Sequence, residues 1–150
     1  MMRPHRRFAA LLLVAALALT ACSEQDEKAG DAVPARVVDI PGTDRVQVVL
    51  TQVAARRVGI ETAPVRTVRG KGAGATAVTV IPLAAVLYDD NGETWTYTNP
   101  APLTFARLPV RLGRVDGEDA VLMSGPPPGT PVVTVGAVEL LGAEEGVSGE

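Results

Sequence analysis

A chain of 150 residues is long enough for one domain of ordinary size. Its 17 Asp and Glu outnumber its 14 Lys and Arg, so the sequence offers no basic patch, which argues against binding dominated by nucleic-acid phosphates. A single cysteine excludes a framework of intramolecular disulfides.

The first 21 residues have the features of a secretory signal. Arg3, Arg6 and Arg7 precede an apolar run, residues 9–21, that contains no charged side chain. About a dozen helical residues span only about 18 Å, which is short of the roughly 30 Å hydrocarbon core of a bilayer. The pattern therefore predicts a cleaved signal peptide over residues 1–21.

The cysteine lies where a bacterial lipoprotein signal would place it. The order Leu19-Thr20-Ala21-Cys22 matches a lipobox, in which small residues admit the peptidase and the cysteine thiol is acylated. The alternative is an ordinary cysteine near an Ala-x-Ala-like cleavage site. We predict lipidation of Cys22. Because two or more acyl chains hold a protein on a bilayer where one chain binds only marginally, we expect anchorage to the cell membrane on its extracytoplasmic (periplasmic) face.

Both ends of the processed chain are predicted to be disordered. Loss of three arginines with the signal leaves 11 basic against 17 acidic residues, a net charge of −6. Residues 22–36 are mostly small, polar and acidic, and such a segment cannot bury enough apolar surface to offset its ordering entropy. We predict a tether over residues 22–36, a folded domain over residues 37–142 and a disordered tail over residues 143–150.

The N-terminal part of that domain contains the predicted helix. Residues 45–50, RVQVVL, favour a strand, and residues 51–58 favour two helical turns. Thr51 is a suitable N-cap and Gly59 a suitable left-handed residue after the helix. Residues 60–69, IETAPVRTVR, alternate roughly as one half-buried strand does.

The C-terminal half consists of Val-rich runs separated by turn signals. Asn91-Gly92 lies between two such runs, and this pair readily takes the two positive φ values of a type I′ hairpin turn. Residues 70–75 are small except for Lys71 and predict a flexible connection. The sequence therefore predicts a mainly β fold, a small antiparallel β-barrel or sandwich-like domain with one short helix.

The residues that carry chemistry are few. His5 lies inside the predicted signal, so no imidazole remains for catalysis or metal binding. Ser124 lacks any residue that would activate it as a nucleophile. Met123 lies in an apolar run and is predicted to belong to the core, rather than to bind copper or silver. We predict a protein that is not an enzyme and that holds no cofactor or metal.

Two acidic turns are the remaining candidates. Each holds three carboxylates, and neither follows the spacing of a twelve-residue calcium loop, so we interpret both as solvated turns. The turns consist of Asp89, Asp90 and Glu93, and of Asp116, Glu118 and Asp119.

The order of these motifs resembles the membrane-proximal portion of periplasmic adaptor subunits, the membrane fusion proteins of RND-type efflux pumps. The resemblance covers about 60 C-terminal residues, and residues 48–65 are similar to the segment that precedes the first lipoyl half-motif in that family. The sequence departs from the family at residues 126–128 and Thr130. The matching positions are Ile81-Pro82, Ala85-Val86, residues 110–113, Asp116-Gly117, Ser124-Gly125, Gly129, Val132-Val133 and Gly136.

The resemblance implies a reduced adaptor. Full adaptors carry a lipoyl-like domain, a long helical hairpin and a β-barrel domain between these segments, where this chain has only residues 70–75. The implied function is that of a non-catalytic, lipid-anchored accessory protein of a multispanning efflux transporter. The alternative is a free-standing extracytoplasmic lipoprotein whose β domain binds a ligand or serves structurally. The sequence leaves oligomerisation and the transported substrate open.

Any interface would be offered by the β domain itself. Strand edges and the two acidic turns are the predicted docking surfaces. The aromatic side chains of Tyr88, Trp95, Tyr97 and Phe105 are predicted to form core contacts or cross-strand pairs, with an exposed interface anchor as the alternative.

Overall fold

The computed structural model describes residues 33–70 and 74–146. Cys22 and the predicted signal peptide lie outside the described residues, as do residues 71–73 and 147–150. Ten strands, two α-helices and one 3-10 turn make up the described part. They are β1 (Ala35–Asp39), β2 (Val46–Leu50), α1 (Gln52–Val58), β3 (Glu61–Pro64), β4 (Arg66–Arg69), β5 (Ala77–Pro82), the 3-10 turn (Leu83–Ala85), β6 (Leu87–Tyr88), β7 (Thr94–Ala101), β8 (Thr104–Asp116), β9 (Asp119–Ser124), β10 (Pro131–Val135) and α2 (Ala137–Glu144).

The strands form one antiparallel sheet that is nearly closed into a barrel, as the sequence predicted. Hydrogen-bonded neighbours follow the order β3-β10-β7-β8-β9-β5-β4, and β3 and β4 are consecutive in the chain. The two ends of the path are therefore joined covalently. Outside this path, β1 pairs with β2, β2 pairs with β8, and β6 pairs with β7.

The junction between β3 and β4 corrects one prediction. Residues 60–69 do not form one strand, because the chain breaks at Val65 and its two halves pair with different neighbours, β3 with β10 and β4 with β5. Val65 donates its N–H to the carbonyl of Thr130 at 2.8 Å and accepts the N–H of Gly129 at 2.8 Å. Its side chain is 2% exposed. The break thus turns Val65 into the core where the barrel closes.

The first helix forms as its end signals predict. Thr51 accepts a hydrogen bond from the N–H of Ala54 at 3.1 Å, and Gly59 has a φ of 71°. Arg56 and Arg57 lie in the last turn, where positive charge complements the helix dipole. Ala54 is the buried residue of this short helix.

The second helix corrects the predicted boundaries. Residues 137–144 continue an apolar run, but the positive φ of Gly136, 87°, ends β10 and starts α2. Ala137 and Leu140 lie on one helical face and bury against the sheet. The predicted tail over residues 143–150 is wrong for residues 143–146, which belong to or follow α2. The predicted tether over residues 22–36 likewise overlaps β1, which begins at Ala35.

The hairpin at Asn91-Gly92 forms with a different turn. Tyr88 pairs with Thr94, and among residues 89–93 only Gly92 has a positive φ, 80°. The predicted type I′ turn would need a second positive φ at Asn91, so that prediction is wrong. Instead the N–H of Gly92 bonds to the carbonyl of Asp89 at 3.0 Å, and the N–H of Asp89 bonds to the carbonyl of Glu93 at 3.0 Å. This pattern is a three-residue hairpin loop that ends in a left-handed glycine.

Two hydrophobic clusters lie on opposite faces of the sheet. The side chains of Val132 and Val133, adjacent on β10, point to opposite faces and are both fully buried. Val132 joins the cluster at the Val65 junction, and Val133 joins the cluster beneath the helices. The members of the first cluster are Val65, Ile81, Ala85, Ala120 and Val132, and those of the second are Val48, Leu50, Ala54, Tyr97, Phe105, Val133, Ala137 and Leu140.

Candidate functional site

The turn between β6 and β7 is built around the carboxylate of Asp89. Its Oδ1 accepts the N–H groups of Asn91 at 2.9 Å and Glu93 at 2.8 Å, and its Oδ2 accepts the indole N–H of Trp95 at 3.3 Å. Burial raises the pKa of this carboxyl, but the hydrogen bonds donated by Glu93, Trp95 and Asn91 outweigh it and hold the pKa below its usual value. Asp89 is therefore a charged, structural residue of the turn.

A second set of contacts ties α2 to the sheet next to this turn. The Tyr97 hydroxyl donates to Glu144 Oε2 at 2.5 Å, and Arg107 Nη2 lies 3.0 Å from Glu144 Oε1. The Arg107 guanidinium lies 5.0 Å from the centre of the Trp95 ring, within the range of a cation–π contact. Burial, followed by the hydrogen bond to Glu144, raises the pKa of Tyr97 far above its usual value. The last turn of α2 is thus held by one tyrosine and one arginine.

A shallow pocket of about 190 Å³ lies between the turn, β8 and the end of α2. We call it the Tyr88 pocket, after the aromatic residue that is 62% exposed beside it. Asp90 and Glu145 contribute exposed carboxylates. Its lining consists of Leu87, Tyr88, Asp89, Asp90, Trp95, Arg107, Leu141 and Glu145.

The second acidic turn lies in a different hairpin, between β8 and β9. Asp119 forms an ion pair with Arg66 at 2.6 Å, and both side chains are partly exposed, so the pair contributes little to stability. Beside it a groove of about 240 Å³ has a floor of Val68, Val78, Val80 and Val121 and a rim that includes Asp116. We call this second site the Val-lined groove. The two acidic turns therefore lie at two separate sites, the Tyr88 pocket and the Val-lined groove.

The aromatic and sulfur side chains divide between core and surface. Tyr97 and Phe105 are buried, at 0% and 3% exposure, which confirms a core role for these two, while Trp95 is half-buried. The core prediction for Met123 is wrong, because its side chain is 75% exposed. Leu122 takes the inward position on β9, so Met123 faces outward and lies over Gly113, a β8 residue without a side chain.

Sequence reasoning missed the residues that complete the Tyr88 pocket. Arg107 lies in a strand-like run and Glu145 in the predicted tail, so the local sequence marks neither as a site residue. The signal that could have found Glu145 is local: Glu144 and Glu145 follow an apolar run with no basic residue nearby, an unfavourable arrangement at the C-terminal end of a helix.

Within residues 33–70 and 74–146, no group of three His, Cys, Asp or Glu has the geometry of a metal site. No helix in the same residues is long and apolar enough to cross a membrane. No protein-family model matches the sequence, and no curated protein matches it either.

Proposed function

We propose that this chain is a lipid-anchored, non-catalytic adaptor that docks on the extracytoplasmic face of a multispanning efflux transporter. The observation that carries the proposal is the pairing of β3 with β10. β3 lies before the connection at residues 70–76, and β10 is the closing segment of the chain, yet Ala63 pairs with Val132 and Thr62 with Val133. The two stretches that resemble adaptor proteins therefore belong to one barrel.

The connection itself supports a reduced adaptor. Arg69 pairs with Ala77, and the N–H of Gly70 bonds to the carbonyl of Thr76 at 2.9 Å, so the ends of the connection are held together as a hairpin. In the family that the sequence resembles, a much larger insertion occupies this place. A barrel whose strands are already paired at that point folds without the insertion.

Crosslinking in native membranes tests the proposal. We expect photoreactive residues on the surface of the β domain to crosslink the native chain to a multispanning transporter. The yield of this crosslinked product should be much lower for the Cys22→Ser variant. Deletion of residues 24–33, which keeps Cys22 and Ser23 for processing, should weaken the association while the barrel stays folded. Crosslinks to soluble envelope proteins alone would contradict the proposal.

The Val-lined groove favours the second candidate, a free-standing lipoprotein that binds an apolar ligand. Four valines from three strands form its floor, and this apolar lining is what favours an apolar ligand, which the volume of about 240 Å³ limits to a small one. Mass spectrometry of the native protein after gentle purification would test this candidate. A small molecule that co-purifies, and that is lost on Val68→Asp substitution while the barrel stays folded, would support it over the adaptor.

A further inference from the structure

The Tyr88 pocket has an excess of negative charge. Among its lining residues, Asp89, Asp90 and Glu145 carry carboxylates, and Arg107 is the one cation. Arg107 is already engaged, because it pairs with Glu144 at 3.0 Å and stacks on Trp95. A ligand that enters this pocket therefore meets acids that the lining does not neutralise.

The end of α2 adds to this field. The C-terminus of a helix carries a partial negative charge, and acidic residues there are locally unfavourable. Glu144 is compensated by Tyr97 and Arg107, whereas the carboxylate of Glu145, at the helix end, forms no ion pair among the described residues. Sequences that break a local rule in this way often do so where they bind something.

The wall of the pocket is aromatic. Tyr88 is 62% exposed although it lies in a strand, so a partner can reach its side chain. An aromatic face attracts an ammonium or guanidinium group, and the contact between Arg107 and Trp95 is an intramolecular instance of that attraction in the same pocket. Carboxylates together with an open aromatic ring select for an organic cation.

The size of the pocket decides what carries the cation. A volume of about 190 Å³ is below the range of about 300 to 1,000 Å³ that is usual for small-molecule sites, and it suits a single side chain. We infer that the Tyr88 pocket receives an arginine or lysine side chain from a basic surface segment of a partner protein. That the cation belongs to a protein rests on the proposed adaptor function. That the pocket prefers an organic cation rests on its lining residues alone.

A peptide titration tests the pocket by itself. Trp95 is the only tryptophan of the chain and lines the pocket, so its fluorescence reports occupancy. The full chain in neutral detergent is titrated with acetyl-Gly-Arg-Gly-amide and with the matched peptide in which uncharged citrulline replaces arginine. We expect a saturable change with the arginine peptide at millimolar concentration, and binding at least about tenfold weaker with citrulline.

Charge variants locate the binding. Asp90→Asn and Glu145→Gln should each weaken the arginine peptide about threefold or more, and Tyr88→Ala should do the same without a change of charge. Glu61→Gln is the matched control, because Glu61 is an exposed acid on β3, outside the pocket lining. Equal binding of both peptides, or an equal loss in the Glu61→Gln control, would overturn the inference.

A crosslinking arm separates this inference from the proposed function. A photoreactive phenylalanine derivative at Tyr88, which keeps an aromatic ring there, should attach a partner peptide that contains arginine or lysine, and Asp90→Asn with Glu145→Gln should reduce its yield. The same amino acid at Val53, an exposed position on α1, is the control. Arginine binding with crosslinks to a protein other than a transporter refutes only the proposed function. Crosslinks to a second copy of this chain, or to segments without basic residues, overturn the inferred partner.

Discussion

Three threonines on β7 allow the cost of one unpaired hydroxyl to be measured. Thr94, Thr96 and Thr98 alternate along the strand and share one face of the sheet. The Oγ1 of Thr94 donates to the carbonyl of Val110 at 2.7 Å, and that of Thr98 donates to the carbonyl of Ala106 at 3.1 Å. Thr96 lies between them at 0% exposure, and its Oγ1 has no hydrogen-bond partner within residues 33–70 and 74–146.

We expect Thr96→Val to stabilise the protein. A buried hydroxyl without a partner costs about 1 to 3 kcal/mol, and valine has almost the same shape and a similar preference for strands. The free energy of unfolding should therefore rise by about 1 to 2 kcal/mol, which corresponds to a rise in Tm of roughly 5 °C or more for a domain of this size. Thr98→Val removes a formed hydrogen bond instead and should lower the free energy by about 1 kcal/mol.

Equilibrium urea unfolding, followed by Trp95 fluorescence and by circular dichroism, measures both variants. The comparison is internal, because the two substitutions are chemically identical and lie two residues apart on the same face. A difference of about 2 to 3 kcal/mol between them is the expected result. If Thr96→Val leaves stability unchanged or lowers it as Thr98→Val does, the hydroxyl of Thr96 has a partner in solution and the reasoning fails.

Three further predictions concern the backbone, the ionisable groups and the anchor. Gly92→Ala should lower the free energy of unfolding by about 1 kcal/mol, because a Cβ there meets no atom within 4 Å and only the positive φ is strained. Gly136→Ala should lower it by about 3 kcal/mol, because its Cβ would also overlap the side chains of Val58 and Ile60. Urea unfolding compares the two variants. The raised pKa of Tyr97 means that the folded state keeps a proton which the unfolded state loses above about pH 10, so the contribution of Tyr97 to stability is constant below that pH and falls by about 1.4 kcal/mol per pH unit above it. Tyr97→Phe should abolish this part of the alkaline loss while costing about 1 to 2 kcal/mol at neutral pH, and denaturation at several pH values checks both. The chain with Cys22 should partition into detergent as a lipidated protein, and Cys22→Ser should leave an unprocessed or released form; mass spectrometry that finds a mature N-terminus elsewhere, without lipid mass, would contradict the predicted anchor.

Features that depend on neighbouring residues could be predicted from the sequence. The cap at Thr51 and the left-handed Gly59 act within one or two helical turns, so α1 was predicted with its ends. The hairpin at Asn91-Gly92 was predicted for the same reason. Its turn type was wrong because the Asp89 side chain binds two N–H groups of the loop and stabilises another geometry.

Features that depend on distant residues could not be predicted. The break at Val65 is set by its hydrogen bonds to Gly129 and Thr130, more than 60 positions along the chain. The residues after Gly136 form a helix because Ala137 and Leu140 find a cluster made by β2, β7 and β8. The same applies to the Tyr88 pocket, because the acidic turn was visible in the sequence but the pairing of Arg107 with Glu144 was not.

The pairing of β3 with β10 has a consequence for the order of folding. Residues 61–64 leave the ribosome well before residues 131–135, so β3 waits for its partner while the intervening strands assemble. Until then β7 and β3 each present an open edge, and such edges pair readily with other chains. Pairing between segments so far apart also slows folding, since the loop entropy is lost before the contacts form. The lipid anchor proposed at Cys22 would hold each chain at the membrane surface through this interval and so limit its encounters with other unfinished chains.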